Sequence, residues 1–243
     1  KTLSWDLDKY LRVQVQHLVD CRQHCIGMGN LIKQLRYIIS QIAPDVNEAN
    51  AKKMIVERLH SFFEDRISFA RENIGRLVTD VIHHNDVILT FGSTPLLRKV
   101  LLMAAAEKRF RLIIVDSRPQ NDSLKTLRAL SPFVDCVYTP LSGAANLAKE
   151  ATRVILGASA MLSNGSMLAA AGNAMVASLA KSKLIPVIAV CESYKFSERV
   201  QLDSIVHNEL GSTREIAVAD GKGGVSTQLS AGYCGAAKQH DNA

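Results

Sequence analysis

The feature that most constrains this fold is a change of sequence periodicity after residue 84. Before that point apolar residues recur at helical spacing, as in the stripe from Leu31 to Ile42. Beyond it, apolar runs of four to six residues alternate with helical stretches, beginning with Val87–Phe91. Such short, apolar strands are typical of a parallel sheet that helices cover on both faces. The sequence therefore predicts a helical domain over residues 1–84 and a doubly wound α/β domain over residues 85–210.

The apolar runs and turn residues of the α/β domain also predict its individual elements. We expect strands at 87–91, 111–115, 135–139, 153–156 and 186–191, and helices at 95–108, 124–130, 143–150 and 167–181. Ser93 or Thr94 caps the first of these helices, and Pro95 lies in its first turn. Asp122 or Ser123 caps the second helix.

The two ends of the chain carry different patterns. In the helical domain Pro44 ends one helix, Asn47 caps the next, and one apolar face continues from Ile55 to Val81. At the other end, Gly211–Ala243 is rich in Gly, Ser and Ala and has one short apolar run. Because so little apolar area offsets the cost of ordering it, we expect residues 211–243 to form an atypical, flexible tail.

Composition excludes several classes of protein. Hydrophobic residues make up 47% of the 243 residues and charged residues 21%, which favours a packed core and argues against disorder. The five cysteines are odd in number and unevenly spaced, so reduced thiols fit better than a disulfide framework. No apolar run reaches the roughly 18 residues of a membrane span, and the first residues do not resemble a secretory signal. We therefore expect a cytoplasmic protein of the cytosol that does not contact a membrane.

The net charge of +6 raises the question of nucleic-acid binding. The basic residues are spread along the chain, and their densest cluster is only Lys108, Arg109 and Arg111. Nucleic-acid surfaces usually show a concentrated basic stripe. We expect no direct contact with nucleic acid.

The candidate site follows from the rule that ligands bind outside the carboxyl ends of strands in open α/β sheets. There, Gly92, Ser93 and Thr94 offer amides and hydroxyls at a helix start, and Arg118 could clamp an anion. The alternative is that Ser93 and Thr94 only cap the helix while Arg118 pairs with Asp116. Dinucleotide binding is not indicated, because this turn lacks the spacing G-x-G-x-x-G.

The same loops argue against catalysis. Cys191 is a candidate nucleophile, but no histidine lies in any strand-end loop to activate it. Glu192 is equally explained by an ion pair with Lys195. Asp116 is equally explained as a residue that stabilises its own loop. His17, Cys21, His24 and Cys25 fall roughly on one helical face, from which four ligands hardly close a tetrahedron. We expect neither a metal nor a cofactor.

Several segments together resemble one known family. They are Val115-Asp-Ser-Arg-Pro119, Leu162-Ser-Asn-Gly-Ser166, Glu192-Ser-Tyr-Lys-Phe-Ser-Glu-Arg-Val-Gln201, His207-Asn-Glu-Leu210, Cys21-Arg22 and Met28-x-Asn30-x-Ile32-Lys33. They resemble the regulatory-subunit family of eukaryotic translation initiation factor 2B over about residues 5–210. The run Tyr-Lys-Phe-x-Glu-Arg-Val-Gln favours the delta branch over the alpha and beta branches. The resemblance implies a helical N-terminal domain followed by a Rossmann-like doubly wound parallel sheet.

The resemblance also implies a function. It indicates a noncatalytic regulatory subunit of the guanine-nucleotide exchange factor for initiation factor 2, assembled with alpha, beta, gamma and epsilon siblings. It further implies contact with factor 2 itself, especially with its phosphorylated alpha subunit. The helical domain is then expected to face that subunit, and Arg22, Lys33 and Arg36 are the candidate partner-binding residues.

The same fold family includes isomerases of methylthioribose 1-phosphate and ribose 1,5-bisphosphate, which supplies an alternative function. Where those enzymes carry a catalytic cysteine and two aspartates, this chain has Gly92, Ser159 and Ser166. Arg118, Asn164 and Gly165 are kept. The expected result is a residual ligand pocket without its proton-transfer groups, made of Gly92, Ser93, Thr94, Arg118, Ser159, Asn164, Gly165 and Ser166. A sensor of small ligands at this pocket is a further alternative.

Overall fold

A computed structural model describes residues 3–22, 24–43, 45–118 and 121–202 of the chain. Contacts divide the chain into a first unit, residues 1–117 and 121–202, and a second unit, residues 118–120 and 203–243. The first unit holds all the elements that follow. The expected flexible tail at 211–243 lies outside the described residues. The division of the first unit into two domains at residue 84 stays a prediction.

The N-terminal region is helical. It comprises α1 (Leu3–Cys21), α2 (Ile26–Ser40), α3 (Glu48–Phe63), a π-helical segment (Glu64–Phe69) and α4 (Ala70–Val81). Asn47 caps α3 as predicted, because its side chain accepts a hydrogen bond from the amide of Ala49. The apolar face from Ile55 to Val81 does lie on one continuous helical run, but the π-helical segment in its middle was not anticipated. No helix among the described residues has the length and apolar character to cross a bilayer.

The α/β region contains the predicted parallel sheet. Its strands are β1 (Val87–Phe91), β2 (Arg111–Asp116), β3 (Asp135–Pro140), β4 (Arg153–Gly157) and, later in the chain, β7 (Val187–Val190). They are all parallel, in the order β3-β2-β1-β4-β7. Helices α5 (Pro95–Glu107), α6 (Ser123–Leu130), α7 (Ala144–Leu147) and α8 (Asn173–Ser182) follow the strands. The fold class predicted from the sequence is confirmed.

Two of the predicted helices are wrong in extent. The helix expected at 143–150 is a 3₁₀ turn, Leu141–Gly143, followed by the single turn of α7. The helix expected at 167–181 begins only at Asn173, after a short strand β6 (Met167–Leu168). Gly172 explains that start, because its φ of +111° is incompatible with a helix, and the ring of Phe91 occupies the space that a Cβ would need.

A second, small sheet was also missed. It consists of β5 (Ala160–Leu162), β6 and β8 (Phe196–Ser197), in the order β6-β5-β8. β5 and β6 form an antiparallel hairpin, whereas β5 and β8 are parallel. This sheet therefore joins the hairpin that follows β4 to the chain that follows β7.

The apolar core lies on both faces of the main sheet. Alternate residues of each strand pack on opposite sides, as Ile88 and Leu89 do in β1. Helices α4, α5 and α6 cover the first face, and α7 and α8 cover the second. A third core lies apart, among α1, α2 and α3, around Ile38, Ile39 and Ala51.

A buried carboxylate fixes the entry into the sheet. Asp86 accepts hydrogen bonds from the amide of His83 at 2.8 Å, Thr152 Oγ1 at 2.8 Å and Arg153 Nε at 2.9 Å. Burial alone would raise the pKa of Asp86, but these bonds and the charge of Arg153 outweigh it and lower the pKa below its usual 3.8. Asp86 therefore ties the loop before β1 to the first residues of β4.

We predict that Asp86→Asn lowers the free energy of unfolding at neutral pH by about 3 kcal/mol, because Arg153 loses its buried partner. Since the pKa of Asp86 is lowered by folding, its contribution is complete above pH 3.8 and is lost as pH falls through the lower, folded value. The difference between wild type and variant should thus shrink below about pH 4. Urea unfolding across this range measures it. The exposed pair of Glu48 and Lys52 is the control, and Glu48→Gln should change stability little. A wild-type advantage that is independent of pH would contradict the prediction.

Candidate functional site

The predicted site lies where the strand order reverses. The chain passes from β1 to β2 and β3 on one side, and returns to β4 and β7 on the other. The loops after β1 and β4 therefore flank the switch point at which open α/β sheets bind ligands. The two loops approach closely, because a Cβ on Gly157 would lie 2.6 Å from Oγ1 of Thr94.

The first loop uses much of its hydrogen-bonding capacity internally. The amide of Gly92 donates to Ser123 Oγ at 3.0 Å, and Ser123 Oγ donates to the carbonyl of Val115 at 2.8 Å. Ser123 therefore bridges two strand ends instead of capping α6, and Asp122 makes no capping bond either. Thr94 is the cap of α5, since its Oγ1 accepts from the amide of Leu97 at 3.1 Å. The Gly92 amide, expected to face an anion, is thus already occupied.

The remaining residues of the predicted pocket differ in their surroundings. Ser159 and Ser166 are exposed, and their amides donate to the carbonyl of Leu168 and to Asn164 Oδ1. Arg118 is exposed and belongs to the second unit. Asp116 is buried and accepts hydrogen bonds from the amide of Ser117 and from the Tyr138 hydroxyl at 2.7 Å, so it braces its own loop.

The β5–β6 turn holds a neighbouring segment rather than an open pocket. Gly165, at φ +80°, allows the tight turn between the strands. Asn164 Nδ2 donates to the carbonyl of Gln201 at 3.1 Å, and Ser163 Oγ donates to the carbonyl of Glu198 at 3.1 Å. We refer to Glu192–Gln201 as the strap. Asn164, expected in the ligand pocket, thus contacts the strap.

The strap begins at the most buried charge of the described chain. Glu192 has no exposed surface, and its carboxylate pairs with Lys195 Nζ at 2.6 Å and with Arg71 Nε at 3.1 Å. Burial on its own raises the pKa of Glu192, but the hydrogen bond and charge of Lys195, together with Arg71, lower it below its usual 4.5. The expected ion pair of Glu192 with Lys195 is confirmed, and Arg71 of α4 is an additional partner.

Helix α2 holds the other side of the strap. Asn30 Nδ2 donates to the carbonyls of Tyr194 at 2.9 Å and Phe196 at 2.8 Å. Gly27, one helical turn earlier, also faces the strap, because a Cβ there would lie in van der Waals contact with the Tyr194 ring at 3.5 Å. Sequence reasoning missed the roles of Asn30 and Arg71. Asn30 lies in a motif of the family resemblance, whereas no local pattern links Arg71 to a residue 121 positions away.

The three predicted basic residues are not equivalent. Arg36 Nε pairs with Asp8 Oδ1 at 3.0 Å and so joins α2 to α1. Lys33 is exposed on α2, and Arg22 is exposed just beyond the end of α1. The expected common face of His17, Cys21, His24 and Cys25 is wrong, because α1 ends at Cys21.

A cleft of about 260 Å³ lies beside the strap, and none of the predicted pocket residues lines it. Its walls come from α2, α3, the π-helical segment and the strap, and include Gln34, Phe62, Arg66 and Phe196. A neighbouring cleft of about 380 Å³ shares Gln34, Phe62 and Arg66 and continues along α2 to Tyr37. The first cleft lies between the helical region and the strap, whereas the second lies within the helical region.

We predict that Cys191 is a poor nucleophile. Burial raises the pKa of its thiol above the usual 9.0, so little thiolate is present at neutral pH. Iodoacetamide should therefore modify Cys191 at least about tenfold more slowly than exposed Cys21 in the folded chain, as peptide mass spectrometry can measure. Unfolding in guanidinium chloride is the control and should bring the two rates together. Preferential modification of Cys191 in the folded chain would contradict the prediction.

Comparison with known proteins extends the sequence resemblance. A family model described as the initiation factor 2 subunit family matches residues 2–231, which reaches beyond the residues 5–210 indicated by the motifs. The translation initiation factor eIF2B subunit delta of Schizosaccharomyces pombe is 38% identical over 211 residues, which are 86% of this chain and 45% of that protein. This chain thus spans less than half the length of that curated relative.

One solved structure and one enzyme complete the comparison. A tetrameric eIF2B-beta2-delta2 complex from C. thermophilum contains a chain that matches with a TM-score of 0.79 and 30% identity, covering 84% of this chain and 67% of that one. The ribose 1,5-bisphosphate isomerase of Methanocaldococcus jannaschii is 27% identical over 207 residues, which are 84% of this chain and 65% of the enzyme. Because the family model matches residues 2–231, this chain belongs to the initiation factor 2 subunit family, and it is similar to eIF2B delta subunits.

Proposed function

We propose that this chain is a noncatalytic regulatory subunit of the guanine-nucleotide exchange factor for translation initiation factor 2. In this role it assembles in the cytosol with the alpha, beta, gamma and epsilon subunits and responds to phosphorylation of the alpha subunit of factor 2. The similarity to eIF2B delta subunits and to a chain of a beta2-delta2 complex supports assembly with siblings. Binding of nucleic acid or of a membrane forms no part of the proposal.

One observation carries the noncatalytic part of this proposal. The positions that correspond to the nucleophile and carboxylates of the related isomerases hold Gly92, Ser159 and Ser166. Gly92 has no side chain to act as a nucleophile, and the hydroxyls of Ser159 and Ser166 do not accept a proton at neutral pH as a carboxylate does. In addition, the Gly92 amide is bonded to Ser123 and Asn164 is bonded to the strap. These bonds favour a fixed scaffold at the former site.

The isomerase remains the second candidate function, because similarity to the ribose 1,5-bisphosphate enzyme extends over 84% of this chain. A sensor of small ligands at the loop from Gly92 to Thr94 is a further candidate. With the Gly92 amide occupied, an anion there would depend on the amides of Ser93 and Thr94.

We predict that the tagged chain, expressed together with an eIF2B beta subunit, forms a stable complex that elutes as one species on size exclusion. The reason is that the matching chain in the solved tetramer covers most of this fold. The purified complex should show no turnover of ribose 1,5-bisphosphate or methylthioribose 1-phosphate, with the archaeal isomerase as the positive control. Turnover above background would support the isomerase instead, and the absence of any complex would contradict the regulatory proposal.

We predict that Lys33→Glu weakens binding of phosphorylated factor 2 alpha more than binding of the unmodified protein. A phosphate adds about 1.5–2 negative charges at neutral pH, so the loss of one exposed cation near it should cost about tenfold in affinity. Surface plasmon resonance with both partner forms on the assembled complex measures the difference. Lys99→Glu, at an exposed lysine of α5, is the matched control. Equal losses for both partner forms would rule out Lys33 as a phosphate contact.

A further inference from the structure

The helical bundle α1–α3 and the sheet domain, by which we mean α4 together with all later elements, have separate apolar cores. The core of the bundle contains Ile38, Ile39, Ile42, Ala51 and Ile55, with partly buried residues of the three helices and of the α2–α3 connection around it. The cores of the sheet domain draw their helical members from α4 onward, beginning with Ile74 and Val78. Among the described residues no core contains members from both parts. The bundle and the sheet domain are therefore not joined by a shared apolar core.

The covalent connection between the two parts is the helical run from α3 to α4, and it contains the π-helical segment Glu64–Phe69. This segment has no buried residue, so no core packing holds it in one geometry. π-helical turns are rare and are found mostly at functional positions within α-helices. The position of this one, directly between the two cores, suits a pivot.

The noncovalent connection is the strap. On the side of the sheet domain, Arg71 of α4 and Lys195 pair with buried Glu192, which anchors the start of the strap. On the side of the bundle, Asn30 donates two hydrogen bonds to strap carbonyls. The cleft of about 260 Å³ beside the strap shows that apolar packing does not fill this seam. A few directional polar bonds therefore hold the two parts together here.

We propose that the bundle α1–α3 rotates as one body, which we call the lever, about the π-helical segment Glu64–Phe69. The two hydrogen bonds from Asn30 to the anchored strap, which we call the clasp, hold it in one orientation. The bundle changes orientation when these two bonds break. The strap leads directly out of β7, at the carboxyl edge of the sheet. A partner that binds the bundle more tightly in one orientation shifts the population toward that orientation. The shift changes the hydrogen bonds between Asn30 and the strap. The lever is thus a route by which binding on the bundle reaches the sheet domain.

The direct test measures the orientation of the bundle in the full chain. p-Azidophenylalanine replaces the exposed Lys53 of α3 and Lys125 of α6, and a donor and acceptor dye are coupled for single-molecule energy transfer. Wild type should give one narrow distribution, and Asn30→Ala should broaden it roughly twofold as more orientations are populated. Gln34→Ala is the matched control. Gln34 lies one turn further along the same face of α2 and lines the same cleft, and this substitution should leave the distribution narrow.

A second variant and a second measurement separate opening of the clasp from loss of the fold. Asn30→Asp keeps the side-chain volume but cannot donate, so it should broaden the distribution as Asn30→Ala does. Hydrogen exchange of the amides in residues 64–70 should become about tenfold faster in both variants, while β1 and β2 stay protected. Distributions of Asn30→Ala and Asn30→Asp that superimpose on wild type would overturn the proposal, as would equally accelerated exchange across β1 and β2. Neither measurement needs a partner, so the result stands independently of the proposed function.

Discussion

A carboxylate with no exposed surface, Glu192, organises the centre of this chain. A buried charge without partners is costly, so its position requires the cations Arg71 and Lys195 beside it. Such a network adds little stability compared with apolar packing, but its geometry is demanding. It fixes the start of the strap against α4. The strap in turn receives Asn30 of α2 and the β5–β6 hairpin, so three parts of the fold meet along the segment that this ionic group anchors.

The main sheet was predictable because most of its strands are short apolar runs between turn residues, and both faces of β1 and β2 are buried. The π-helical segment was not predictable. The apolar face from Ile55 to Val81 has the spacing of one helix, and this spacing does not show that one turn is π-helical. The small sheet was missed because strands of two or three residues carry no period. The start of α8 depends on Gly172, where a positive φ and the close approach of the Phe91 ring both require glycine, and the approach of a ring 81 positions earlier has no local signal.

The candidate site shows a different limit of sequence reasoning. The loops at the carboxyl ends of the strands were located correctly, since topology alone selects them. The roles of individual groups were not, because their partners come from distant elements: Ser123 of α6 occupies the Gly92 amide, and the strap occupies Asn164. A hydrogen-bond donor that has no partner nearby in sequence can still be used by an element that is distant in sequence. The motifs that carry the family resemblance include several of these internal contacts, among them Asn30 and Asn164.

The separation in sequence between the bundle and its clasp has a consequence for the order of folding. The core of α1–α3 is made of residues close together in the chain, and such local cores form early, as the N-terminal part emerges during synthesis. Asn30, however, bonds to carbonyls 164 and 166 positions later. Those carbonyls reach their places only after β7 has joined the sheet. We therefore expect the bundle to form before its orientation against the sheet domain is fixed, because that orientation depends on the later part of the chain.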